Sequence, residues 1–310
     1  MPKGMKIPSR SADTSMDSPL QLVGSSAAIR DVEQEIVCAS RSDAKVLITG
    51  ESGVGKEIVA QLIHQRSRRS PSPLVTMNCA GVPDSLLESE LFGHVRGSFT
   101  DAYRDKKGLL DQSNGGTVFM DEVGEMSLRM QALLLRFLEN GEIQRVGSTR
   151  INSVVDVRVI AATNRNLVAG IADKTFREDL YYRLNVIHVF IPPLRARPED
   201  IGTLLTHFFR VYSGKHRTAP PVISEEAMER LTVYRWPGNV RELKNLAERL
   251  VVRAQAGVIT PGDLPREISG ALAAPSPAQT AALKPRADVL FERMSVGGES
   301  FWSVVYEPFM

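Results

Sequence analysis

The sequence predicts an α/β layered fold built on a parallel sheet, followed by a smaller all-helical unit. Three observations predict it. Five short runs, 46–49 (VLIT), 74–77 (LVTM), 117–120 (TVFM), 157–161 (VRVIA) and 187–191 (IHVFI), are almost wholly apolar rather than alternating. Strands covered on both faces read this way, and such strands are usually parallel. Segments with apolar residues at helical spacing lie between them, as crossover helices require. After Pro192 and Pro193 no convincing strand remains, and the pattern turns helical.

Residues 1–19 are polar and rich in Ser and Pro, and read as a disordered tail. The folded pattern begins near Leu20. The run 46–49 leads into a glycine-rich loop, and residues 57–65 follow as a helix with Ile58, Val59, Leu62 and Ile63 on one face. Residues 128–138 form a second strongly helical stretch. Beyond Pro193, residues 198–212, 224–234 and 240–254 read as helices. Ser224 precedes Glu225 and Glu226, an N-cap with acids where the helix dipole favours them. A Pro/Ala-rich linker follows, and 288–310 carries Phe291, Phe301, Trp302, Tyr306 and Phe309. The expected division is a tail 1–19, an α/β unit 20–193, a helical unit 194–268, a linker 269–287 and a C-terminal segment 288–310. The last reads as the start of a further region, cut short.

Composition bounds the function classes. The chain has 310 residues, 43% hydrophobic and 24% charged, enough for one large domain or two smaller ones. Lys+Arg 38 against Asp+Glu 36 gives a net charge of +2, which favours no particular partner. Two cysteines, Cys38 and Cys79, make no disulfide framework and no metal-ligand spacing. No apolar run approaches the ~18 residues of a membrane span, and the N-terminus lacks a signal-peptide core. A secreted scaffold, a membrane protein and a fibrous repeat are excluded, and the cytoplasm is the expected setting.

The loop Gly50-Glu51-Ser52-Gly53-Val54-Gly55-Lys56 stands between a strand and a helix, the context of a phosphate-binding P-loop. Its glycines let backbone N–H groups turn toward phosphate, the helix N-terminus adds a positive dipole end, and Lys56 supplies a point charge. Glu57 stands where Ser or Thr usually follows. The strand 117–120 ends in Asp121 and Glu122. Beside a P-loop, Asp121 is placed to hold Mg²⁺ and Glu122 to polarise an attacking water. Arg177 and Arg183 lie six residues apart, so neither sits directly over the other on a helix face. Spacing alone favours an ordinary charged helix surface over an arginine finger.

Taken together, these motifs resemble the AAA+ ATPase domain of bacterial sigma-54-dependent transcription activators, the enhancer-binding proteins. The resemblance covers 20–265. It rests on GESGVGKE (50–57), NCAGVPDSLLESELFGH (78–94), GSFTDA (97–102), GGTVFMDE (115–122), FREDLYYRLNV (176–186), PPLRARPEDI (192–201) and WPGNVREL (236–243). It implies an AAA+ P-loop domain with a helical lid, and ATP and Mg²⁺ as cofactors. Glu57 then matches the family's own P-loop. Arg177 and Arg183 fall on two arginine positions that act in trans, which reverses the reading from spacing. Asn78 matches an asparagine that pairs with Glu122. Thr163 and Asn164 match sensor I, Arg241 matches sensor II, and Val23 and Gly24 lie where adenine packs.

GSFTDA resembles the family's GAFTGA loop, departing from it at Ser98 and Asp101. Phe99 and Thr100 match the pair that touches sigma-54. On the residues alone, Phe99 suits a partner contact or burial under its own loop equally well. The implied activity is ATP hydrolysis in a ring, expected to be a hexamer, that remodels the sigma-54 RNA polymerase closed complex. The residues before the P-loop unit are too few to be read as a sensory domain, and no helix-turn-helix is evident after Pro265, so promoter DNA is expected to be met through a C-terminal domain not evident here.

Overall fold

The five apolar runs become five parallel strands in a computed structural model that describes residues 20–99, 102–254 and 257–269. They are β1 Val46–Thr49, β2 Leu74–Asn78, β3 Thr117–Asp121, β4 Arg158–Thr163 and β5 Ile187–Phe190. The sheet order is β2-β3-β4-β1-β5. Residues of one strand alternate between two cores, as a period of two demands. In β3, Val118 and Met120 join the core on one face while Phe119 joins the other; in β4, Val159 and Ala161 oppose Ile160 and Ala162 in the same way.

Some strand ends differ from expectation, and pairing explains it. Asn78 stands opposite Asp121 and Thr163 opposite Thr49, so β2, β3 and β4 continue into polar residues that their apolar runs do not include. The polar ends therefore gather at one edge of the sheet, where ligands of open α/β sheets bind.

Helices α1 Ala27–Ser40 and α2 Lys56–Gln65 cover one face, and α3 Asp84–Phe92, α4 Leu128–Asn140 and α5 Glu178–Leu184 the other. The sequence reading did not separate out α1 and α3. In α1 the buried positions Ile29, Val32, Ile36 and Ala39 follow helical spacing, and Ser26 caps it by accepting from the Ile29 N–H.

The C-terminal unit is a helical lid: α6 Asp200–His216, α7 Glu225–Val233 and α8 Asn239–Ala254. Its core surrounds Trp236, fully buried, whose indole N–H donates to the Leu231 carbonyl at 2.8 Å. The lid also holds a parallel pair, Val222–Ile223 with Val258–Ile259, too short to show a strand period in sequence. Among the described residues no helix is long and apolar enough to cross a membrane. The expectations for the tail, for the linker beyond Ser269 and for 288–310 lie outside the described residues.

Candidate functional site

The loop between β1 and α2 takes positive φ at Gly50, Gly53 and Gly55. Gly53 shows why glycine is needed: φ is +80° and a Cβ there would stand 2.4 Å from the Gly238 carbonyl oxygen. Helix α2 begins at Lys56 with no side-chain cap from Gly55, so its first-turn N–H groups keep their capacity to bind an anion. Lys56 is buried; its Nζ donates to the Gly50 carbonyl at 3.1 Å and lies 3.3 Å from Glu122 Oε1.

Asp121 ends β3, and its Oδ1 accepts from the Glu122 N–H at 3.0 Å. Burial, and then the Glu122 charge, push its carboxyl above the usual carboxylate range. Glu122 takes a left-handed backbone, φ 55° and ψ 46°, which is uncommon for a residue with a Cβ. Its Oε2 accepts from the Asn164 N–H at 3.0 Å, so the carboxylate is held between Lys56 and the end of β4. Thr163 is fully buried, and its hydroxyl accepts from the Arg165 N–H at 3.1 Å. Cys79, beside these acids, is a buried thiol pushed up to about 12 by burial and then by Asp121 and Glu122.

The expected pairing of Asn78 with Glu122 is not made. The Asn78 Oδ1 accepts from the Ala80 N–H at 2.8 Å, a local turn that uses the side chain on its own backbone. Glu122 already takes donors from Lys56 and Asn164.

The lid closes the other side. The Arg241 N–H donates to the Gly53 carbonyl at 3.2 Å and its Nη1 to Ser52 Oγ at 2.9 Å. Buried Asn239 donates to Glu51 Oε2 and to the Ser52 carbonyl, both at 3.1 Å, and accepts from the Leu194 N–H at 2.8 Å. Arg195 grips Glu51 with both Nη atoms, at 2.8 and 2.5 Å. The Arg195 fork, and then Asn239, hold the Glu51 carboxyl down to about 2. Between lid and loop lies a cavity of about 240 Å³ whose wall includes Lys56, Glu57, Asp121, Glu122, Arg241 and Lys244. Val54 is buried, and its carbonyl accepts from Arg197 at 3.4 Å.

Val23 packs against the lid core, and Gly24 lies over Asp200. Asp200 is fully buried and accepts from the Ser25 N–H (2.7 Å), the Ser26 N–H (2.9 Å) and the Ser26 hydroxyl (2.6 Å). Arg177 and Arg183 do not line the 240 Å³ cavity. Arg177 pairs with Asp179 at 2.7 and 3.0 Å, and Arg183 donates to the carbonyls of Leu138 and Glu139 at 3.2 and 3.4 Å. Phe99 is 44% exposed, with its ring meeting the edge of His94 at 4.9 Å between centroids. It is thus half out and half packed, while Thr100 lies outside the described residues.

Arg195, Asp200 and Asn239 lie within the motifs at 192–201 and 236–243, but nothing in the sequence assigns them a part. Their partners are distant in sequence, and a first-turn acid or a Gly-Asn turn carries no signal of a long-range contact.

Comparison with known proteins follows the same division. A family model described as the sigma-54 interaction domain matches residues 22–190, and one described as the AAA+ ATPase lid domain matches 195–281. The regulatory protein AtoC of Escherichia coli (strain K12) is 48% identical over 247 residues, 80% of this chain and 53% of AtoC. The transcriptional regulatory protein ZraR of Klebsiella oxytoca is 46% identical over 268 residues, covering 86% and 60%. The nitrogen fixation protein VnfA of Azotobacter vinelandii is 48% identical over 278 residues, covering 89% and 53%. The chain therefore spans between about half and three-fifths of these curated relatives. Among solved structures, NtrX from Brucella abortus in complex with ADP is similar with a TM-score of 0.74 and 35% identity, covering 93% of this chain and 65% of that one. The same protein in complex with ATP gives 0.74 and 35%, covering 92% and 65%.

Proposed function

The chain belongs to the sigma-54 interaction family of AAA+ domains, and from that premise we propose that it hydrolyses ATP to activate transcription by sigma-54 RNA polymerase. One observation carries the reading: P-loop, paired acids and lid arginine converge on a single cavity. Similarity to a protein crystallised with ADP and with ATP supports a nucleotide there.

The proposed roles follow from placement. Lys56 and the N–H groups of 50–57 bind the phosphates, Arg241 closes over them from the lid, and Val23 and Gly24 pack the adenine. Glu122 orients the attacking water and takes up its proton. Thr163 and Asn164 sense the nucleotide through the Asn164–Glu122 contact. Asn78 joins that relay once its side chain leaves Ala80. Among the described residues no three His, Cys, Asp or Glu side chains form a metal cage. A lone half-buried Asp121 suits Mg²⁺, which takes phosphate and water oxygens and few protein ligands; bound there, it would neutralise phosphate charge.

Arg177 and Arg183 serve a neighbouring subunit's site in a ring, proposed to be a hexamer. Phe99 and Thr100 touch sigma-54, and hydrolysis moves that loop against the closed complex. Promoter DNA is contacted through a C-terminal domain not evident in the sequence, in the cytoplasm. The test is promoter melting with purified sigma-54 polymerase. ATP should produce open complexes and a non-hydrolysable analogue should not; hydrolysis without open complexes would overturn the transcriptional part, and no hydrolysis would overturn the whole.

A further inference from the structure

Lys244 stands one helical turn beyond Arg241 on α8, at the i, i+3 spacing that puts two side chains on one face. Both line the cavity over the P-loop. Arg241 is committed to the loop through Ser52 and Gly53, and the helix start is fixed to the same loop by Asn239. The position of Lys244 over the phosphate-binding loop is therefore set by a rigid element. Lys244 is exposed, and among the described residues it makes no ion pair and no hydrogen bond with its side chain.

A solvated lysine on a helix is ordinary, but the charge around this cavity gives Lys244 a task. The wall carries three carboxylates, Glu57, Asp121 and Glu122, against Lys56, Arg241 and Lys244. Without Lys244 the count is three negative to two positive, the wrong sign for holding a polyphosphate. With it the wall is balanced, and a charge-assisted contact to a phosphate oxygen becomes available.

We infer that Lys244 is a further phosphate-binding residue of the site, a second cation through which the lid holds the polyphosphate of a nucleoside triphosphate. This rests on the nucleotide reading above. A rival use is closure of the mouth by pairing with Glu57, which would leave nucleotide affinity untouched.

The experiment is calorimetric titration of the whole chain with a non-hydrolysable ATP analogue and magnesium, at two salt concentrations, alongside the Tm of the nucleotide-free protein. Lys244→Gln should weaken binding about tenfold at low salt, the gap should narrow at high salt, and Tm should not move. Lys244→Arg should retain most of the affinity. Affinity of Lys244→Gln within about twofold of the parent, or a loss matched by a fall in Tm, would overturn the assignment. A parent chain that binds no nucleotide would instead overturn the reading beneath it.

Discussion

Glu122 sits in a left-handed backbone at the end of β3, with one carboxylate oxygen 3.3 Å from Lys56 Nζ and the other 3.0 Å from the Asn164 nitrogen. A strained backbone persists where surrounding contacts fix it, and here they aim one carboxylate at the cavity. Glu122→Gln keeps the shape and an oxygen for Lys56. It loses the charge that makes the group a base. Nucleotide affinity should stay within about threefold of the parent, while kcat falls by about 10²-fold or more. Binding titration and phosphate release on the same preparation check both halves; an undiminished kcat removes Glu122 from the role. Cys79 has no comparable part, because a buried thiol held near 12 stays protonated.

At the scale of elements, two polar fasteners join the lid to the α/β unit: Glu51 with Arg195 and Asn239, and Asp200 with Ser25 and Ser26. Asp200 and Ser26 are buried, so removing the carboxylate leaves the Ser26 N–H and hydroxyl without an acceptor and takes one from the part-buried Ser25 N–H. Asp200→Ala should cost about 2–4 kcal/mol. For a unit of this size that lowers Tm by roughly 5–10 °C. Asp200→Asn, which still accepts on one oxygen, should lie between. A Tm for Asp200→Ala unchanged within about 2 °C would mean that the segment is held by other contacts. Neither fastener was legible in the sequence, since Asp200 and Ser26 are 174 residues apart and Asn239 and Glu51 188. What was legible had a local cause. The strands show as apolar runs because both faces are covered. The P-loop shows because glycines, lysine, strand and helix are contiguous. Helix α1 was not separated because its buried stripe of Ile29, Val32, Ile36 and Ala39 is narrow and set among charges. The Asn78 contact with Glu122 is not legible for another reason: a motif names a partner, whereas the rotamer here follows a nearby donor, the Ala80 N–H.

The whole molecule raises the question of what Arg177 and Arg183 do in a chain whose own cavity they do not line. Each is satisfied locally, Arg177 by Asp179 and Arg183 by carbonyls at the end of α4. Exposed contacts of that kind are worth little, so a stronger anion can take the guanidinium groups. Tyr182 and Val186 are exposed nearby in sequence, at 68% and 58%. If this face meets the cavity of a second copy, hydrolysis needs two subunits. The specific ATPase rate should then rise with protein concentration until assembly saturates. Arg177→Ala and Arg183→Ala should each lower kcat by about 10³-fold while leaving nucleotide affinity of the dilute chain nearly unchanged. Mixing decides the matter. Arg183→Ala subunits keep an intact Glu122, and Glu122→Gln subunits keep an intact Arg183, so one kind of junction in a mixed assembly holds a complete site. Two preparations that are each inactive should recover part of the parent rate when combined. If assemblies shown to be mixed recover nothing, the arginines act within their own chain or only support the fold, and the Tm of each single variant tells those two apart.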